Sequence, residues 1–462
     1  MIAAMRLATL LGPDLKETLQ TDPEALRDAL EEFHPEDIAE IVEELELDDI
    51  VALFRALPED FGAEVYERLP SETQTWILEK LSLVEAAELL SEMSPDDLVD
   101  VVKELQEDRE DLAVELLEHL EEHEPQLAEE YRELAVYAED VAGGLMTPEF
   151  VGLPPDTKIW QAIEEVRRLS IEAEVETISY IYVVYASKLV GVVSLRDLIL
   201  KDSGQTLKDV MMENIVTVRD EDDQELVAKT IAKYDFAAIP VVGEHGNMLG
   251  VVTVDDLVDV VIEEATEDAH RMGAVGPIDD GYFAVSLVQM FRSRAPWLVV
   301  LFLGGFLTAT VMERFQMELA RVVQLAVFVP LIISAGGNAG SQSASLVIRA
   351  LAVGEAEPSD WLKVLTRESV TSVSLGLVVG VLGFGRAFFT GGEQALPLAA
   401  TVSLSTLSVV VVGSLVGSLL PLAIQRVGLD PAVSSTPFVA SVVDVVGLLL
   451  YLTIAGAVMN LG

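Results

Sequence analysis

Long uncharged stretches in an otherwise strongly acidic chain limit this protein's possible folds. The 462 residues carry a formal net charge of −49, yet almost none of it lies beyond Ala295. Residues 1–294 hold 69 Asp/Glu and 22 Lys/Arg, whereas residues 295–462 hold 9 and 7. One evenly mixed globule does not partition charge in this way. The division predicts an acidic aqueous half joined to a membrane half.

The charge and composition exclude several functions. A surface this negative repels nucleic-acid phosphates, so no nucleic-acid partner is expected. The absence of cysteine removes disulfides, thiol chemistry, Cys-ligated zinc and iron–sulfur clusters. Five histidines, His34, His119, His123, His245 and His270, read as scattered and leave little for a His-based site. The opening MIAAMRLATLLGPDLKETL has too short an apolar run for a signal peptide. The acidic half is therefore expected to be cytoplasmic.

A bilayer crossing needs about 20 apolar residues, and five stretches meet that length. The first, 295–312, is uncharged and places Trp297 as an interfacial anchor. No charge occurs between Arg321 and Arg349, between Glu368 and Arg386, or between Glu393 and Arg426. The fifth stretch, from Pro431 to the end, is interrupted only by Asp444. With residues 1–294 inside, the inner flanks hold Arg292, Arg294, Arg349, Lys363, Arg367 and Arg426, against Arg314, Arg321 and Arg386 outside. That distribution agrees with the positive-inside rule.

Two features of this half do not suit a lipid-facing helix. The segment Ala335-Gly-Gly-Asn-Ala-Gly-Ser-Gln-Ser-Ala-Ser345 has three glycines and no large apolar side chain. It predicts loosened backbone, tolerated at membrane depth only where buried in protein or lining a watery cavity. The alternative is close helix–helix contact through small residues. The second feature is Asp444, whose carboxylate at mid-helix costs roughly 2.5–3.5 kcal/mol on insertion scales. Its helical neighbours Pro437, Ala440, Ser441 and Gly447 are small or weakly polar, and no Lys or Arg lies deep in any span to pair with it. Oxygen-only chemistry favours hard cations such as Mg²⁺ or Ca²⁺, and protonation of Asp444 keeps a proton-coupled carrier open.

In residues 1–138, 40 acidic side chains face 9 basic ones. Apolar residues recur at helical spacing, as in Ile38, Ile41, Val42 and Leu45, and in Leu98, Val101, Val102 and Leu105. Turns at Leu57-Pro58, Leu69-Pro70 and Ser94-Pro95-Asp96 divide the region into short helices resembling stacked hairpins. Next comes a clear duplication. Gly191-Val-Val-Ser-Leu-Arg-Asp-Leu198 matches Gly250-Val-Val-Thr-Val-Asp-Asp-Leu257, each after an apolar strand and each copy opening near a Met-rich turn. This resembles a tandem pair of cystathionine-β-synthase (CBS) domains. After it runs a dense set of carboxylates, Asp255, Asp256, Asp259, Glu263, Glu264, Glu267 and Asp268. Such like charges on one helix repel, and divalent cations bridging to another domain would relieve them; the alternative is a solvated face.

With these pieces in place, the chain looks like the MgtE family of magnesium channels or transporters. The resemblance rests on Gly336-Gly-Asn-Ala-Gly-Ser-Gln342, Glu264-Ala-Thr-Glu-Asp268, Ser194-Leu-Arg-Asp197 and Asp430-Pro431…Asp444-Val-Val-Gly447. It implies a multidomain membrane protein: an all-α superhelical N domain (1–138), α/β tandem CBS domains (139–262), a connecting helix (263–294) and a five-helix transmembrane domain (295–462). It further implies a plasma-membrane homodimer with Mg²⁺ as substrate and regulator, and a pore from the second and fifth helices of both subunits. Asp444 would hold hydrated Mg²⁺, with Asn338, Gly337, Thr436 and the Ala440 carbonyl shaping the site. Here the family's common Asn-Pro reads Thr436-Pro437, and the second Asn of its GGNxGNQ motif reads Ser341. The implied cytosolic Mg²⁺ ligands are Glu64, Asp96, Glu225, Asp235, Asp256, Asp259, Glu264 and Asp268. Tyr180, Arg196 and Asp197 are the implied ATP-binding residues in the CBS cleft.

The residues also leave open a carrier or exchanger for another divalent ion, such as Co²⁺ or Ca²⁺, and a membrane-anchored ion or nucleotide sensor that transports nothing. An enzyme is not expected, because no nucleophile–base set or phosphate loop such as GxxxxGK[ST] is present.

Overall fold

The computed structural model describes residues 30, 33–42, 45, 47–171, 175, 177–278, 282 and 285–460. The opening segment read against a signal peptide lies outside them. The chain divides into two compact units, 1–260 and 261–462.

The first unit begins with short helices: α1 (Pro35–Val42), α2 (Leu47–Phe54), α3 (Glu59–Glu67), α4 (Ser71–Lys80), α5 (Leu83–Ser91), α6 (Pro95–His123) and α7 (Pro125–Leu134). Proline lies just before or inside the first turns of α3, α4, α6 and α7, where a missing N–H costs nothing. Ser82 and Glu85 close a reciprocal capping box on α5. The helical spacing holds: Ile38, Ile41 and Val42 are buried, as are Leu98, Val101, Val102 and Leu105. Helix α6 is broken at Arg109, whose backbone leaves the helical region (φ −142°, ψ 63°).

The duplicated region forms two three-stranded sheets. The first contains β1 (Gly152–Leu153), β2 (Tyr180–Tyr185) and β3 (Lys188–Ser194), with α8 (Ile159–Ile171), α9 (Leu195–Leu200) and α10 (Leu207–Val210). The second contains β4 (Val218–Arg219), β5 (Ala238–Val242) and β6 (Met248–Thr253), with α11 (Gln224–Tyr234). Each pairs its first two strands parallel and its last two antiparallel, with a bulge at the equivalent step, Val183/Val184 and Val241/Val242.

The copies are interlocked. Thr147, in the turn that opens the first copy, pairs with Val251 of the second; Met212, in the turn that opens the second, pairs with Val192 of the first. Glycine is required at both crossings. A Cβ on Gly191 would sit 2.2 Å from Met211 Sδ, and one on Gly250 would sit 2.6 Å from the Thr147 carbonyl. The second copy also shares one apolar core with α1–α7, through Val227, Ile231, Ile239 and Val252.

Helix α12 (Asp256–Met272) runs from the end of the first unit into the second. The connecting helix expected over 263–294 is not continuous. It ends at Met272, Ala274 turns left-handed (φ 58°), and α13 (Leu287–Arg314) starts eight residues before 295. After α14 (Gln316–Arg321) come α15 (Val323–Ala352), α16 (Trp361–Thr390), α17 (Ala395–Arg426) and α18 (Thr436–Met459). Among the described residues, five helices are long and apolar enough to cross a membrane.

Helices α15, α17 and α18 form the core of the second unit. The glycine-rich segment of α15 is regular helix throughout, so the expectation of loosened backbone is corrected in favour of close contact through small residues. Gly336 and Gly340 oppose Gly413 and Gly417 of α17. A Cβ on Gly413 would lie 2.5 Å from the Gly336 carbonyl, and one on Gly417 would lie 2.0 Å from the Gly340 carbonyl. Two small-xxx-small faces thus bring the backbones into contact, the packing available where no hydrophobic drive separates helix from lipid.

Candidate functional site: a membrane carboxylate and cytosolic acid clusters

Asp444 lies two turns into α18, where Ser435 caps the helix by accepting from the Phe438 N–H. Its carboxylate is half-buried and faces Gly337 of α15. A Cβ at 337 would lie 3.9 Å from Asp444 Oδ1 and 3.7 Å from the Ala440 Cβ. The absence of a side chain there leaves room beside the carboxylate. Asn338 follows on the exposed edge of α15, where its Nδ2 donates to Ser334 Oγ at 3.4 Å. Ser334, Asn338 and Gln342 form an exposed polar edge within a span. The structure thus brings Asp444, Ala440 and Gly337 together, with Asn338 on the adjoining face.

Thr436 is at the helix mouth. Its carbonyl accepts from Ser341 Oγ at 3.3 Å, and its own hydroxyl donates to the Met272 carbonyl at 3.1 Å. The end of α12 is therefore bonded to the first turn of α18. Arg271 adds a second tie, bridging Glu267 of its own helix to Asp430 in the α17–α18 connection. Asp430 also caps that connection through the Ala432 N–H at 2.7 Å. Glu264 and Asp268 lie beside Glu267, half-buried on the same helix. Burial raises the Glu267 pKa against the pull of Arg271, and the charges of Glu264, Asp430 and Asp268 raise it further.

In the first unit, carboxylates from α3, α6 and the start of α12 act on one another. Burial pushes Glu67 up to about 7; Asp97 and Glu64 add to the rise, and Arg68 opposes it. Burial also raises Asp97, against a 2.8 Å hydrogen bond from Ser94 Oγ and the Arg68 charge, with Asp255 adding to the rise. Asp256 is raised chiefly by burial, then by Asp255 and Asp97, although Thr253 Oγ1 donates to it at 2.6 Å. Of the expected ligands, Glu64 and Asp256 belong to this chain of repulsion, and Asp96 is buried one residue from Asp97. The remaining three lie apart from it in their contacts. Glu225 pairs with Lys229 at 2.6 Å, Asp235 is the exposed left-handed cap of α11 (φ 54°), and Asp259 is exposed. Among the described residues, no three His, Asp or Glu side chains converge as a ready metal site.

Between the two sheets lies an open cleft. Tyr180, Tyr182, Asn214, Phe236 and Pro240 are among its lining residues. Tyr180 presents its ring edge-on to Phe236, centroids 6.4 Å apart. Arg196 and Asp197 are not among these lining residues. Arg196 is exposed, and the Asp197 carboxylate accepts from Ser194 Oγ at 2.8 Å in the cap of α9.

Family models match each region: a divalent cation transporter (MgtE) over 329–454, the MgtE intracellular N domain over 33–140, and CBS domains over 138–204 and 207–263. The magnesium transporter MgtE of Thermus thermophilus is 42% identical over 333 residues, 72% of this chain and 73% of that protein. This chain belongs to the MgtE family. The MgtE of Enterococcus faecalis is 35% identical over 72% of each chain. The solved cytosolic domain of the Mg²⁺ channel MgtE in complex with ATP covers 55% of this chain and 100% of its own, at 39% identity and TM-score 0.51. The soluble part of a magnesium transporter aligns over 56% of this chain at 32% identity and TM-score 0.52.

Three participants in this MgtE chain's acid clusters were not singled out by sequence reasoning: Glu67, Asp97 and Arg271. Glu67 is one helical turn from Glu64, and Asp97 is adjacent to Asp96, so spacing alone was a usable signal for both. Arg271 stands one turn after Glu267, a readable helix pair, but nothing local marks its bond to Asp430, 159 residues away.

Proposed function

We propose that this MgtE chain forms, as a homodimer in the plasma membrane, a Mg²⁺-selective channel that cytosolic Mg²⁺ closes. The observation that carries this reading is the placement of Asp444 against Gly337 and Ala440, beside the polar edge Ser334, Asn338 and Gln342. A polar edge facing hydrocarbon is costly, and intramembrane ionisable groups face bundle interiors or water-filled cavities. A second copy facing that edge encloses a water-lined path with one Asp444 from each side. Two carboxylates across a path wide enough for water suit Mg²⁺, which sheds its hydration shell reluctantly.

Regulation follows from the cytosolic carboxylates. Glu64, Glu67, Asp97, Asp255 and Asp256 repel across the junction of helical domain and second CBS copy, and Glu264, Glu267 and Asp268 crowd α12. Mg²⁺ at Glu64, Asp96, Asp256, Asp259, Glu264 and Asp268 would neutralise that repulsion, hold α12 in place, and through Thr436 and Asp430 keep the mouth of α18 fixed. Glu225 and Asp235 would join from an adjoining surface. ATP in the cleft would stack on Tyr180 and Phe236, with Arg196 and Asp197 reaching it after rearrangement of the α9 cap.

Flux into reconstituted vesicles tests the pore. Asp444→Ala is expected to abolish Mg²⁺ entry while the protein still elutes as a dimer; normal flux would overturn the pore assignment. Transport of Co²⁺ or Ca²⁺ in place of Mg²⁺, or turnover in the range of a carrier, would overturn the channel reading.

A further inference from the structure

Two of the five histidines are not scattered. His119 and His123 stand one turn apart near the C-terminal end of α6, with their rings stacked at 4.1 Å between centroids and 21° between planes. His123 is exposed and His119 half-buried, so the pair is reachable from solvent.

A hydrogen bond determines the tautomer of one ring. His123 Nδ1 lies 3.0 Å from the His119 backbone carbonyl. A carbonyl can only accept, so Nδ1 carries the proton and the neutral ring presents its unprotonated Nε2 outward. Histidines that bind metals commonly show this arrangement: one nitrogen is tied to a carbonyl or carboxylate, and the other is left as the ligand. Residues at i and i+4 share a helix face. In a tetrahedral zinc chelate with metal–nitrogen bonds of about 2.0–2.1 Å, the two nitrogens lie roughly 3.3 Å apart. Stacked rings aim their in-plane lone pairs alongside one another, so the His119 ring would turn out of the stack to bring both nitrogens onto one ion.

We propose that His119 and His123 form a two-imidazole site for a divalent transition ion, with Zn²⁺ the preferred physiological occupant. Imidazole suits Zn²⁺, Cu²⁺ and Ni²⁺, whereas Mg²⁺ takes oxygen ligands. The site is therefore chemically distinct from the carboxylate clusters on the same soluble unit. Among the described residues no third His, Asp or Glu converges on the pair, so water completes the coordination. An open chelate of this kind exchanges its ion readily. That suits the ion-responsive domain of the proposed function, on which this point rests.

The test uses the full chain in detergent, stripped by chelator and titrated with Zn²⁺ by calorimetry in excess Mg²⁺, so that carboxylate sites are already filled. One Zn²⁺ per chain is expected. Loss of an outer-shell partner alone typically weakens metal binding about 10–100-fold; His119→Gln or His123→Gln removes a ligand and should cost no less, and the double variant should lose the event. Bound Cu²⁺ should give a visible absorption band that disappears in the same variants. Retained elution volume and Mg²⁺ response would show that the variants fold. Undiminished Zn²⁺ binding in the double variant, no binding by the parent protein, or either single variant binding like the parent would overturn the proposal.

Discussion

Gly417→Ala should destabilise the membrane unit far more than Gly337→Ala, although both add one methyl group to a small-residue face. A Cβ at 417 would lie 2.0 Å from the Gly340 carbonyl oxygen, with the Gly340 carbon at 2.8 Å and Cα at 3.0 Å. Contact distances between non-bonded heavy atoms are about 3.5–4.0 Å, so α15 and α17 would have to separate by roughly 1.5 Å. The obstructing atoms are backbone within a continuous helix, which no rotamer change relieves. The shift would also open the close approach of Gly413 to Gly336 on the same faces. Overpacking of this kind costs typically about 1–3 kcal/mol, and a backbone–backbone clash belongs at the upper end. For a unit of about 200 residues, that upper end corresponds to a fall in midpoint of roughly 6–12 °C. At 337 the added methyl group meets its nearest neighbours at 3.7 and 3.9 Å, ordinary contact, so the midpoint should stay within a degree or two of the parent. Thermal unfolding of matched detergent samples, followed by size exclusion, reads both. Equal midpoints for the two variants would refute the backbone contact between α15 and α17.

The other expectations concern charge. Burial and Asp97 lift Glu67 from 4.5 to about 7, so the folded state holds its proton more tightly than the unfolded chain. Its destabilising contribution is absent below pH 4.5, grows through the window to about 7 and is complete above it. Glu67→Gln should therefore stabilise the soluble unit at pH 8 by on the order of 2–3 kcal/mol and leave it unchanged at pH 4; equal melting curves at pH 8 would contradict this. Arg271→Ala and Asp430→Asn should each loosen the last turn of α12, measured by amide hydrogen exchange. Partners in one ion pair couple by about 0.5–3 kcal/mol, so the double variant should be little worse than either single one, and strictly additive effects would rule out the bridge.

Much of the architecture was legible because it rests on properties each residue carries with it. Charge-free length marks a span wherever it occurs, so five spans, the acidic soluble half and the isolated Asp444 could be read directly. The duplication was legible as well, since Gly191 and Gly250 sit in matching Gly-Val-Val strands. The interlocking of the copies was not, because Thr147 finds Val251 across more than a hundred residues.

The glycine-rich segment of α15 marks the boundary between the two kinds of information. Its composition alone established that no bulky side chain occupies that face, and both loosened backbone and tight packing satisfied that condition. Only the approach of Gly413 and Gly417 selected regular helix, since a second backbone fills the space left by the missing side chains. The same holds for Glu67, whose neighbour Glu64 was visible in the chain, whereas its raised pKa comes first from burial and then from Asp97 on another helix. The sequence by itself determined which groups lie in water, which lie in the membrane and where a lone carboxylate stands. Tertiary structure decided which of those groups meet, because electrostatic repulsion, steric exclusion and hydrogen bonding depend on distances that chain order does not contain.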